Sequence, residues 1–154
     1  MRKVLIAVAL ICASPVAAQA ESFTFESRNE IVNRIVAPVA GSKTIVAQFS
    51  NGQITAIYPN RTVLSKSECA TWPAPAGSMF TATGACVATD TDGSRFTVVV
   101  SCRVVDDKNT VNDCFGQLTG VGGVYQGKTG TVSWRGTLSA DAKSTTAKGT
   151  GMWN

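Results

Sequence analysis

Histidine is absent from all 154 residues of this chain. That removes the usual general base, the commonest metal ligand and the ordinary Ser-His and Cys-His nucleophile pairs. Catalysis would have to rest on carboxylates, Lys, Arg, Tyr or a cavity acting by shape alone, which weighs against a hydrolase. No catalytic residue, cofactor or metal is assigned. Charge is sparse too. Only 16% of residues are Asp, Glu, Lys or Arg, and beyond residue 20 the basic ones are scattered singly. No run of them is fit to track a phosphate backbone or an anionic membrane, so no nucleic-acid partner is expected. After residue 20 no apolar stretch is long enough to span a bilayer, so no stable membrane insertion is expected. At 44% hydrophobic residues the chain has enough apolar material for one ordinary domain with a packed core.

The first twenty residues read as an address. Arg2 and Lys3 give a positive start, Val4 to Cys12 is a short apolar run, and Ala18-Gln19-Ala20 is a small-x-small cleavage site. Residues 1–20 are therefore expected to be a signal peptide, with residues 21–154 forming the domain in a periplasm or outside the cell. Cys12 follows Ile11 where a lipoprotein signal wants a small residue, so lipid anchoring is not expected. Removing residues 1–20 takes away two of the fourteen basic residues and no acidic one, so the formal charge of +4 falls to +2.

Four cysteines remain: Cys69, Cys86, Cys102 and Cys114. An even count in an exported chain reads as two disulfides. Zinc is the rival reading, but no C-x-x-C pair is present and no histidine can help. Phe96, Val98, Val100, Cys102 and Val104 share one face of a strand over 95–105. A turn at Asp107-Lys108-Asn109 places residues numbered symmetrically about 108 opposite one another, so Cys102 faces Cys114. Cys69 is left to pair with Cys86, clasping the Trp72-Pro73-Ala74-Pro75 loop.

Elsewhere the pattern is of strands and tight turns. Ser27-Arg28-Asn29-Glu30 has the form of a capping box, with Ile31, Val32, Ile35 and Val36 following at helical spacing. A short N-terminal helix is expected there, with a strand as the alternative because those residues are β-branched. Asn51-Gly52 reads as a two-residue hairpin turn pairing Phe49 with Ile54, Ala47 with Ala56 and Ile45 with Tyr58. A second hairpin at Thr91-Asp92-Gly93 sets Ala88 opposite Phe96, Cys86 opposite Val98 and Gly84 opposite Val100. Further strands run over 114–119, 131–138 and 145–153. Val132, Trp134 and Leu138 face inward in the second of these, and Ala147, Gly149, Gly151 and Trp153 share a face in the third.

The run Gly120-Val121-Gly122-Gly123-Val124-Tyr125-Gln126-Gly127-Lys128-Thr129-Gly130 is the most distinctive stretch. Gly122 to Thr129 fits G-x-x-x-x-G-K-[ST] letter for letter. That pattern cradles phosphate only between a buried strand and a helix. Here a strand-like alternation follows, so no nucleotide is expected, and Lys128 reads as a loop-end lysine.

Together with Asp90-Thr91-Asp92-Gly93 before it and Gly149-Thr150-Gly151-Met152-Trp153 after it, this glycine run resembles the barrel shared by plant allene oxide cyclases and dirigent proteins. The likeness covers about residues 80–154. Val121-Gly122-Gly123 stands where that family usually has Gly-Thr-Gly, and the four cysteines are not a feature of the plant enzymes. The resemblance implies an eight-stranded antiparallel barrel able to hold an apolar ligand, and assembly as trimers or dimers. It carries over no catalytic residue. The expectation is thus an all-β chain: a small antiparallel β-barrel of about eight strands, one short N-terminal helix and two disulfides.

Tyr125 and Trp134 are the candidate ligand-binding residues, although packing against the loop glycines and burial in the core are the plainer roles. Trp72 is either an exposed recognition aromatic or a plug for one barrel end. Asp90, Asp92, Asp106, Asp107 and Asp113 cluster near turns, where aspartate caps local N–H groups, and they fit no calcium loop. Arg103 and Arg135 fall on polar strand faces. The functional expectation is an exported binding or structural protein, with a small apolar molecule as its ligand. An allene-oxide-type cyclase or a protein inhibitor of an exported hydrolase is the alternative. The pairing argument is directly testable: peptide mapping without reduction is expected to show Cys69–Cys86 and Cys102–Cys114, and a Cys86–Cys102 peptide would overturn the register.

Overall fold

The structure is a computed structural model that describes residues 20–39 and 42–154. The expected signal peptide lies outside the described residues, apart from Ala20. Eight antiparallel strands close into an up-and-down barrel: β1 (Glu21–Val39), β2 (Ser42–Ile57), β3 (Thr62–Pro73), β4 (Ala82–Asp90), β5 (Arg95–Val104), β6 (Val111–Gly122), β7 (Thr129–Leu138) and β8 (Ser144–Trp153). A single 3-10 turn, Gly123–Tyr125, joins β6 to β7. β1 pairs with β8 from Glu21↔Trp153 to Glu30↔Ser144, so no edge remains open around the barrel itself. Among the described residues no helix is long and apolar enough to cross a membrane.

The expected registers of the β4–β5 and β5–β6 hairpins are present. Ala88↔Phe96, Cys86↔Val98 and Gly84↔Val100 pair across β4–β5, with Gly93 at φ +85° in the turn. Cys102↔Cys114 pair across β5–β6 and Cys69↔Cys86 across β3–β4, and both pairs are disulfides. Each bridge joins residues 17 or 12 apart in sequence, and chain entropy assigns each about 3 kcal/mol. Such bonds belong to oxidising, extracytoplasmic surroundings.

Two local expectations are overturned. Residues 27–36 form no helix: they lie in β1, where the Ser27-Arg28-Asn29-Glu30 box is paired on both sides, with β2 and with β8. β-Branched Ile31, Val32, Ile35 and Val36 are stiff at χ1 and suit a pleated strand. Asn51-Gly52 is not a turn either, since β2 runs straight through it and Gly52 pairs with Asn29. A Cβ on Gly52 would overlap the Asn29 side chain. That glycine serves close packing against Asn29 and makes no bend. Phe49 accordingly pairs with Asn33, Ala47 with Ile35 and Ile45 with Val36, while Ile54 pairs with Ser27.

β1 and β2 are longer than the barrel is tall. β3 begins to pair with β2 only at Gln48, and β8 releases β1 after Glu30. Beyond those points the two strands pair only with each other, as a ribbon with bulges near Val32 and Val46. The Nη2 of Arg34 donates to the Ala142 carbonyl at 2.5 Å, and the Ile31 N–H donates to the Lys143 carbonyl at 2.8 Å, so the ribbon's root is tied to the β7–β8 turn.

In β7, Val132 and Gly136 are buried and Trp134 lines the interior, while Thr131, Arg135 and Thr137 are exposed. Trp134→Ala is therefore expected to cost about 3 kcal/mol, the low end for a core aromatic because the ring borders free space. Arg135 makes only an exposed ion pair with Asp113, and Arg135→Ala is expected to leave the denaturant midpoint unchanged. Equal losses on denaturant unfolding of the oxidised variants would mean that the faces are reversed.

Candidate functional site

The barrel interior is an aromatic column. At one end Tyr125 stacks on Trp153 at 4.8 Å, and Phe96 meets both rings edge-on at 5.2 and 5.5 Å. Trp153 Nε1 donates to the Tyr58 hydroxyl at 3.2 Å. From Tyr58 the column continues through Phe23 (5.1 Å) and Phe25 (6.3 Å) to Trp134 (6.1 Å). Seven of the eleven aromatic residues thus fill the barrel. Gly149 and Gly151 on β8 make room for it, because a Cβ on either would run into Phe25 or Phe23. About 100 Å³ of free space remains, bordered by these rings, by Cys69 and Cys86, by Ser65, and by Ser27, Asn29 and Ser67.

The glycine run is the device that puts Tyr125 there. Gly123 (φ +63°) and Gly127 (φ +76°) turn the chain back on itself, and a Cβ on Gly120 would collide with the Tyr125 carbonyl. Tyr125 ends up 2% exposed. The N–H groups of the loop are used locally. Val124 donates to Ser94 Oγ, Gln126 to the Gly123 carbonyl and Lys128 to the Tyr125 carbonyl. Strand β7 follows, so the letters of the nucleotide motif sit between two antiparallel strands. Three of the loop's N–H donors are thus engaged within the protein.

Tyr125 reaches a group that the sequence reading placed elsewhere. Its hydroxyl donates to Asp90 Oδ2 at 2.6 Å, and the Ser65 hydroxyl donates to Asp90 Oδ1 at 2.6 Å. Asp90 is 6% exposed and is no turn cap. The signal was available: Gly84, Cys86 and Ala88 face inward, and the two-residue period carries on to Asp90. Nothing local marked Ser65 or Tyr58 as their partners. The other aspartates do act at turns and on the surface. Asp92 accepts from the Ser94 N–H, and Asp106 accepts from the Val111 and Thr110 N–H groups. Each is held below the ordinary carboxyl value chiefly by those backbone donors. Asp113 pairs with Arg135 and, at 3.9 Å, with Arg103.

Over the mouth at the Tyr125 end, the Arg61 guanidinium lies 4.0 Å from the Tyr58 ring centre and forms a two-pronged pair with Glu21. That hydrogen-bonded pair lowers the Glu21 carboxyl and raises Arg61. Burial pushes both phenols, Tyr58 and Tyr125, above the ordinary tyrosine value of 10.0. Among the described residues every buried side-chain nitrogen or oxygen has a hydrogen-bond partner, and no three His, Cys, Asp or Glu side chains converge as a metal site would require.

The two candidate ligand residues, Tyr125 and Trp134, border the same internal space from opposite ends of the column. Trp72 lies at the end of β3, 44% exposed, and plugs nothing. No protein-family model, no curated protein and no solved structure matches this chain.

Tyr58 and Tyr125 are the only tyrosines, which makes their environment measurable. Both folded values lie above 10.0, so their stabilising contribution is full below pH 10 and is lost as pH rises beyond it. Absorbance at 295 nm is expected to stay flat past pH 10 and to rise only with cooperative alkaline unfolding. A normal titration centred near 10 in the folded protein would contradict the buried network.

Proposed function

We propose that this chain is an exported binding module that works through its outer surface, with the barrel as a rigid scaffold. The observation that carries this reading is the filled interior. The free space of about 100 Å³ falls below the ~300 Å³ at which ligand pockets usually begin. It is also smaller than the ~150 Å³ cavity that admits a benzene ring. The internal polar groups are engaged with one another, so Asp90 and Tyr125 serve the scaffold as a buried clamp.

Two disulfides and a closed aromatic core suit a protein that must keep its shape outside the cytoplasm, in a periplasm or beyond the cell. The glycine loop between Gly122 and Thr129 acts in this reading as the holder of Tyr125 and takes no nucleotide. An allene-oxide-type cyclase, which the resemblance of residues 80–154 raises, needs a cavity that steers a fatty acyl chain. A small apolar ligand at Tyr125 and Trp134 is the second reading, favoured because both residues border the one internal space.

Titration with decanoate and with a C18 fatty acid, read by tryptophan fluorescence, separates these readings. No saturable change is expected up to about 100 µM, the concentration that would reveal binding of roughly 5 kcal/mol. A saturable change that Trp134→Phe abolishes would instead make the interior the site, and the carrier or cyclase reading would replace this one.

A further inference from the structure

Charges on the outside of β5, β6, β7, β8 and β1 are segregated. One ladder of directly paired residues holds Arg103, Asp113, Arg135, Lys148 and Glu26 in cross-strand order. The next two ladders toward the Tyr125 end hold no charge at all. The first is Ser101, Phe115, Ser133, Thr150 and Thr24, and the second is Val99, Gln117, Thr131, Met152 and Ser22. These two ladders form a shallow concavity of about 920 Å³, flanked by Phe80, and none of its fifteen lining residues is charged. Val99 is 61% exposed, Phe115 48% and Met152 40%. An uncharged, partly apolar patch bordered on one side by a charged ladder has the composition of an interface centre.

The ribbon is the second unpartnered surface. Val32, Ile35, Val36 and Ile45 are all 42% exposed or more, and pairing places Val36 with Ile45 on one face and Ile35 with Ala47 on the other. Its two outer edges carry unpaired backbone groups, and a two-stranded ribbon is marginal in water on its own. No acidic residue occurs between Ile31 and Ser67. The one cation whose side chain is described on the ribbon, Arg34, is already engaged by Gln48 and the Ala142 carbonyl.

We infer that the ribbon of one copy seats on the uncharged face of a second copy, and that the exchange is reciprocal. This rests on the reading that the outer surface carries the function. The two surfaces are compatible in chemistry: three of the ten ladder residues are apolar, the other seven are uncharged Ser, Thr or Gln, and the described side chains of the ribbon offer no free charge that the face would have to desolvate. Area favours a closed pair. Strand spacings make the two ladders a patch of about 300 Å² and the ribbon face about the same, so a one-way contact falls well short of the ~800 Å² that a standard interface buries per partner. Reciprocal exchange between two barrels lying antiparallel uses both surfaces of each copy and approaches that figure. It also satisfies the two-fold closure that stops assembly at a dimer.

Sedimentation of the oxidised protein tests this, with two exposed double variants: Ile35→Lys/Val36→Lys on the ribbon and Val99→Lys/Phe115→Lys on the face. At about 50 µM, where a micromolar Kd leaves little monomer, the wild type is expected at twice the monomer mass. Each variant, with its disulfides and far-UV spectrum intact, is expected at half that mass. An equimolar mixture of the two variants keeps only one intact ribbon–face contact, short of a standard interface, and is expected to stay monomeric. A wild type that stays monomeric would overturn the inference, as would a face variant or a ribbon variant that still dimerises. If the fatty-acid titration is silent and the wild type is monomeric, only self-association falls. A saturable fatty-acid signal sinks the surface reading itself.

Discussion

A barrel of eight strands has an interior just wide enough for side chains to fill it, and in this chain the filling is aromatic. The small residues of β8 set the terms. Gly149 and Gly151 face inward where any Cβ would meet Phe25 or Phe23, so β1 can lie against β8 with its phenylalanines inside. Trp153, at the end of the same strand, then stacks beneath Tyr125 and reaches the Tyr58 hydroxyl. Closure and core are therefore one constraint. A larger residue on β8 would push the phenylalanines out and open the seam between first and last strands.

The end that Tyr125 closes is polar as well as aromatic. Asp90 brings β4 to Ser65 of β3 and to the β6–β7 loop, and Ser94 receives the Val124 N–H from that same loop. A buried carboxyl group is costly unless its oxygens are satisfied, and here each oxygen has a hydroxyl donor. Three segments far apart in sequence are fixed by that requirement. The motif that reads as a phosphate loop is thus a folding device: its glycines allow the backbone to approach closely enough for one tyrosine to be driven inside.

The stabilising contacts and the unpartnered surfaces fall on different parts of the molecule. The core and both disulfides lie within the closed barrel, while the ribbon and the uncharged ladders lie outside it. The ribbon can change without disturbing the aromatic column, because beyond Glu30 and Gln48 it pairs with nothing in the barrel sheet.

Both disulfide pairs, the β4–β5 and β5–β6 hairpins, and the inward faces of β7 and β8 were legible in the sequence. Each follows from alternation on either side of a short turn, so neighbouring residues carry the whole signal. Asn51-Gly52 and the Ser27–Glu30 box misled for a complementary reason: the same letters that mark a turn or a cap also serve a strand when partners on both sides claim the backbone. Asp90 was legible only as an inward position, and its partners were not, because Ser65 and Tyr125 lie 25 and 35 residues away. The ribbon likewise has no local signature. It exists because β1 and β2 outrun the strands that flank them, a difference in length that appears only once the barrel has closed and β8 has stopped at Ser144.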